Sequence, residues 1–222
     1  MHKYVSLLVV PAVFLLALLW KDGIYYINGP EYVPGGVVLL IMVVPVALAT
    51  YTMCYGNIAT GIGRPELCML YPIFGCVVAS FLMFTFSKYG IVGIAIAGAI
   101  GLTIASIGNI TAMEKTLKLR YAPELLWKPL WASIFSFVIV LLFYDFLKAV
   151  LMNIILSILS PILSGEVLEA TAGTLLVISI GIIFAILYFI FYMLIGGACE
   201  SEVKLLENIS YYFGPLKIFG IL

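Results

Sequence analysis

Across 222 residues, 64% are hydrophobic and only 10% are charged, and the mean hydropathy is +1.23. Soluble domains carry roughly 25% charged residues, so this composition excludes a water-soluble domain and makes membrane lipid the solvent and first partner of the chain. Eleven basic side chains balance eleven acidic ones, and no basic patch interleaved with aromatic residues occurs, which excludes a nucleic-acid partner and implies no strongly charged one.

A helix needs about 20 mostly apolar residues to cross the hydrocarbon, so charges and turn residues mark where the chain leaves it. The period-2 alternation of a lipid-facing barrel is missing, and helices satisfy their own backbone groups. The expected fold is therefore all-α, a multi-pass transmembrane bundle of about six spans in one membrane domain covering 1–222. The first span is Tyr4–Trp20. Lys3 precedes it as in a secretion signal, but Leu18, Leu19 and Trp20 stand where small residues would be needed for cleavage, so a retained span is expected. Gly35–Ile58 follows and closes on a Gly-rich turn with Arg64. Leu67–Phe86 and Ile91–Met113 come next, joined by the tight turn Ser87-Lys88-Tyr89-Gly90. The fifth span is Pro129–Phe146. A shorter apolar stretch, Ala149–Leu163, is broken by Asn153, Ser157, Ser160 and Pro161 and reads as an interfacial or re-entrant helix. Thr171–Ile195 is the sixth span, and a cytoplasmic tail, 199–222, follows it.

Cytoplasmic loops carry an excess of Lys and Arg, which sets the expected orientation. With the N-terminus inside, Lys3, Arg64, Lys115, Lys118, Arg120, Lys128, Lys204 and Lys217 are cytoplasmic, against Lys21, Lys88 and Lys148 outside. Both termini are thus expected in the cytoplasm. Trp127 and Trp131 flank the most basic loop, at the headgroup level that indole rings favour.

Along the fourth span Gly93, Ala97, Gly101, Ala105 and Asn109 recur every four residues and form a small-residue stripe for close helix packing. Static packing is the first reading of this seam, and sliding during alternating access the second. Catalytic motifs are missing. The one histidine is His2, there is no HExxH or GxSxG, and Cys54, Cys68, Cys76 and Cys199 show no metal-ligand spacing. No catalysis, no metal and no cofactor are expected. Asp145 and Lys148, three apart, suggest a helical ion pair. At the end of the second span Arg64, Tyr55 and Asn57 are the candidate substrate-binding residues: Arg64 could attract an anionic phosphate, and the other two could face a polar cavity. Each also has an ordinary interfacial reading, as a positive-inside anchor or an aromatic-belt residue.

Three motifs in order carry a resemblance: Asn28, Gly29 and Tyr32 after the first helix; Gly61, Gly63 and Arg64 closing the second; and Tyr89, Gly90, Gly93, Ala95, Ile96 and Ala97 opening the fourth. A tail beginning IGGACESEVKLLENI completes the series. The chain resembles the C-terminal half of the oligosaccharide flippases, the polysaccharide-transporter branch of the superfamily that includes the multidrug and toxic-compound extrusion transporters. Ile27 departs from the pattern, standing where that family has an aromatic residue. Members have two pseudo-symmetric lobes around a central cavity, and this chain matches only part of the C-terminal lobe. The resemblance implies transfer of a lipid-linked oligosaccharide across the cytoplasmic membrane for surface polysaccharide or glycan assembly, with a second membrane polypeptide supplying the missing lobe. The alternatives are a small homo-oligomeric transporter and a non-transporting membrane scaffold.

Overall fold

The computed structural model describes residues 2–117, 124–160 and 166–197. All regular structure among them is helical, in seven α-helices: α1 (His2–Asn28), α2 (Gly36–Gly61), α3 (Leu70–Phe86), α4 (Gly90–Leu117), α5 (Glu124–Leu142), α6 (Tyr144–Leu159) and α7 (Glu166–Leu194). Short 3-10 turns at Pro30–Gly35, Pro65–Cys68 and Ser87–Tyr89 join the first four. By length and composition Tyr4–Asn28, Pro30–Gly61, Leu70–Thr116 and Val167–Leu194 could cross a membrane, and α5 with α6 makes a fifth if the bent pair is one span.

The stretch Leu70–Thr116 doubles back on itself at the Ser87–Tyr89 turn. Gly90 makes the reversal with φ +69°, a left-handed conformation that side chains disfavour. Beyond it the partners step in opposite directions along the two helices: Met83 lies against Gly98, Gly75 against Gly101 and Ala105, and Tyr71 against Gly108. α3 and α4 are therefore an antiparallel hairpin. On its other side α4 packs along α2, with Tyr55 and Ala59 beside Met113 near the ends of both helices, so these two run in the same direction.

A second group forms around α1. Tyr188 of α7 donates to the Leu7 carbonyl (3.0 Å), Leu15 faces Gly181 and Tyr26 lies over Gly173, so α1 and α7 are antiparallel. α5 joins them through Phe14 and Phe137, with ring centroids 5.6 Å apart, and runs opposite to α7 as Lys128 reaches the Gly196 carbonyl at 2.8 Å. The largest buried cluster, Leu19, Val140, Leu176, Ile180 and Phe184, lies where α1, α5 and α7 meet. α1 also joins the two groups, since Gly36 at the start of α2 leaves no room for a side chain beneath Trp20.

Two boundaries differ from those expected. α1 continues to Asn28, because Lys21 and Asp22 end an apolar run without breaking a helix. The apolar run expected as one span to Phe146 breaks at Phe143, and α6 leaves α5 at 67°. The stretch expected to be interfacial thus begins earlier, at Tyr144, and holds Asp145 and Lys148 within its first turns. Its final residues, 161–163, and the tail 199–222 lie outside the described residues, as do Lys118, Arg120, Cys199, Lys204 and Lys217.

These helix directions sort the charges. The end of α1, the α3–α4 turn and the α5–α6 joint share one end of the bundle, which gathers Lys21, Lys88 and Lys148. Lys3, Arg64, Lys115 and Lys128 lie at the other.

Candidate functional site

The chain leaves α2 through Gly63, at φ +78°, into the turn that carries Arg64. Pro65 disfavours a helical Arg64, which takes φ −124° and ψ 59° while its N–H donates to the Ala59 carbonyl at 2.9 Å. The Arg64 side chain is exposed. Tyr55 is not: it is 4% accessible, and its hydroxyl donates to Oε1 of Glu114 on α4 at 3.1 Å. Asn57 is exposed, two positions further along, which is about 200° around a helix. Tyr55 and Asn57 thus do not converge on one cavity. The residue brought to Tyr55 is Glu114, which the sequence reading did not single out. Cys68 packs against the same cluster, and burial pushes its thiol pKa up.

The small-residue stripe of α4 divides between jobs. Gly101 faces Ala79 and the Gly75 carbonyl oxygen, which a Cβ on Gly101 would approach to 2.7 Å. A Cβ on Gly75 would lie 2.6 Å from both Ala105 Cβ and the Gly101 carbonyl oxygen. The backbones of α3 and α4 are therefore nearly in contact here. Gly93 belongs instead to the turn, tucked against Phe86 and Tyr89. Ala97 is fully buried, and Asn109 is 3% exposed with no hydrogen-bond partner for Oδ1 among the described residues.

At the opposite end a second polar cluster links α1 to α6. Asp22 Oδ1 accepts from Lys148 Nζ at 2.8 Å, and Oδ2 accepts from the Tyr144 hydroxyl. Lys148 Nζ also lies 6.0 Å from the Tyr26 ring centroid. The ion pair of Lys148 is therefore with Asp22, 126 positions away, where Asp145 was expected. The correction has a geometric cause. The break at Phe143 turns the first residues of α6 toward the end of α1, so a carboxylate on another helix becomes the better-placed partner. These groups border an open cleft of about 510 Å³.

Protein-family models, curated proteins and solved structures yield no match to this chain.

The chemistry open to these clusters follows from their geometry. Each holds one carboxylate by a tyrosine hydroxyl from a different helix, which couples helix positions and orients polar groups. Among the described residues no three His, Cys, Asp or Glu side chains gather as metal ligands. Asp22 had a sequence signal, a carboxylate directly after a 17-residue apolar span, the number of positions from Tyr4 to Trp20. An acidic group at such a depth usually has a partner.

Proposed function

We propose that this chain is one part of a membrane flippase for lipid-linked oligosaccharide, completed by a second membrane polypeptide, with no catalysis of its own. The reading rests on the ordered turn motifs. Three of them, around Gly29, Gly63 and Gly90, fall at helix junctions where the glycine takes a positive φ of 104°, 78° and 69°. A sequence built from common membrane residues has no reason to place all three family-like motifs at such turns. In this reading the chain crosses the bilayer six times. α3 and α4 cross separately, and α5 with its bent extension counts once. The end with Arg64, Lys115 and Lys128 faces the cytoplasm together with both termini, as the excess of basic residues favours. Arg64, exposed beside the end of α2, offers its guanidinium to the phosphates of a lipid carrier.

The test is affinity capture of the tagged chain from its native membrane in mild detergent, with the mass of the complex recorded. A second membrane polypeptide at equal stoichiometry is expected. Recovery of a closed homo-oligomer would replace this reading with a self-assembled transporter, and a lone monomer would remove transport by a split flippase altogether.

A further inference from the structure

The cleft at the end of α1 has a wall of hydrogen-bond donors. Lys21, Asp22, Tyr25, Tyr26 and Lys148 line it, with the turn after α1 as its apolar side. Its depth follows from α1: the uncharged stretch Tyr4–Trp20 is about 25 Å long as a helix, against about 30 Å of hydrocarbon. Lys21 and the residues beyond it therefore reach the headgroup layer, where tyrosine rings and lysine ammonium groups settle.

The balance of charge inside the cleft is uneven. Asp22 is the one carboxylate lining it, and both of its oxygens already accept hydrogen bonds, from Tyr144 and Lys148. Glu31 and Asp145, on neighbouring turns, do not line it. What remains for a visitor is the exposed ammonium of Lys21, the other N–H groups of Lys148 and the hydroxyls of Tyr25 and Tyr26. Donors and a cation with no acceptor left to match them suit an oxyanion. A neutral or cationic ligand would meet the wrong complement.

We propose that this cleft binds a phosphate oxyanion, carried by an anionic lipid headgroup or free in solution, with Lys21 as its principal charge partner and the Asp22 network holding Lys148 in place beside it. The site lies at the opposite end of the bundle from Arg64 and stands independently of the transport reading.

Native mass spectrometry of the full chain in detergent tests it, with added phosphatidylglycerol as probe and diacylglycerol of the same chains as control. The parent should retain phosphatidylglycerol, and Lys21→Gln should lower its occupancy by about tenfold, the loss of one charge-assisted contact. Lys21→Arg should keep it. Millimolar inorganic phosphate then separates the sources: displacement of the lipid assigns a soluble oxyanion, and persistence assigns the headgroup. Equal retention by the parent and Lys21→Gln, or equal retention of diacylglycerol, overturns the proposal. Lys21 is exposed and takes no part in the Asp22 hydrogen bonds, so the variant should keep the parent thermal transition.

Discussion

Asp22 shows what a single side chain does in this molecule, because it accepts hydrogen bonds from two residues of another helix. Replacing it with Asn removes the charge that Lys148 is held against and should lower stability by about 1–3 kcal/mol, read as a lower thermal transition in detergent. Asp145→Asn should have little effect. If the two variants behave alike, the pairing of Lys148 with Asp22 is wrong. Cys68 gives a second residue-level expectation, since burial raises its thiol pKa and leaves less thiolate at neutral pH than a free cysteine has. Its alkylation should therefore be slow near pH 7 and accelerate on raising the pH past the range where a free thiol has already ionised. Mass-spectrometric labelling across a pH series measures this, and a rate that levels off at the free-thiol value would contradict it.

At the scale of elements, the α3–α4 hairpin is held by backbones that nearly touch, so added volume has nowhere to go. Gly101→Leu should destabilise by about 1–3 kcal/mol or more through overpacking, whereas Gly35→Ala, with open space around it, should be nearly silent. Comparable transitions for the two variants would remove the packing seam. Much of this element was legible in the sequence, because small residues at four-residue spacing and a Tyr-Gly turn state both the face and the reversal. The break between α5 and α6 was not. Leu142, Phe143 and Tyr144 include no glycine, proline or charge, so the apolar run reads as continuous, and only packing against α7 and the pull of Asp22 reveal the change of direction. The same limit hid the candidate clusters. Arg64 announced itself through its neighbours Gly63 and Pro65, but Glu114 and Tyr55 are 59 positions apart and Asp22 and Tyr144 are 122 apart. No local pattern encodes such pairs, because the contact exists only once the helices are side by side.

For the whole molecule, composition alone made the lipid environment and the helical class readable, since no soluble core needs this much apolar surface. The broad exposure of Phe81, Phe84 and Leu142, at 69%, 85% and 75%, fits side chains that meet acyl chains on the outside of the bundle. The sorting of basic residues to two ends leads to a direct topology test. Single cysteines introduced at Lys88 and Lys115 in a cysteine-free background should react with an impermeant maleimide from opposite sides of sealed vesicles. Labelling of both from one side would refute a hairpin that crosses the bilayer twice.

The distance along the chain between partners also sets an order of events during synthesis. α2, α3 and α4 are neighbours in sequence as well as in space, so their contacts can form as soon as the hairpin has entered the bilayer. α1 is in a different position. Its Asp22 must wait for Lys148, 126 residues later, an interval of about 6–25 s at ~5–20 residues per second. Through that interval the carboxylate sits near the bilayer surface without its final partner, and α1 must be held by α2 alone, through Trp20 over Gly36. A nascent chain stalled before α6 is thus the form of this protein most exposed to quality control.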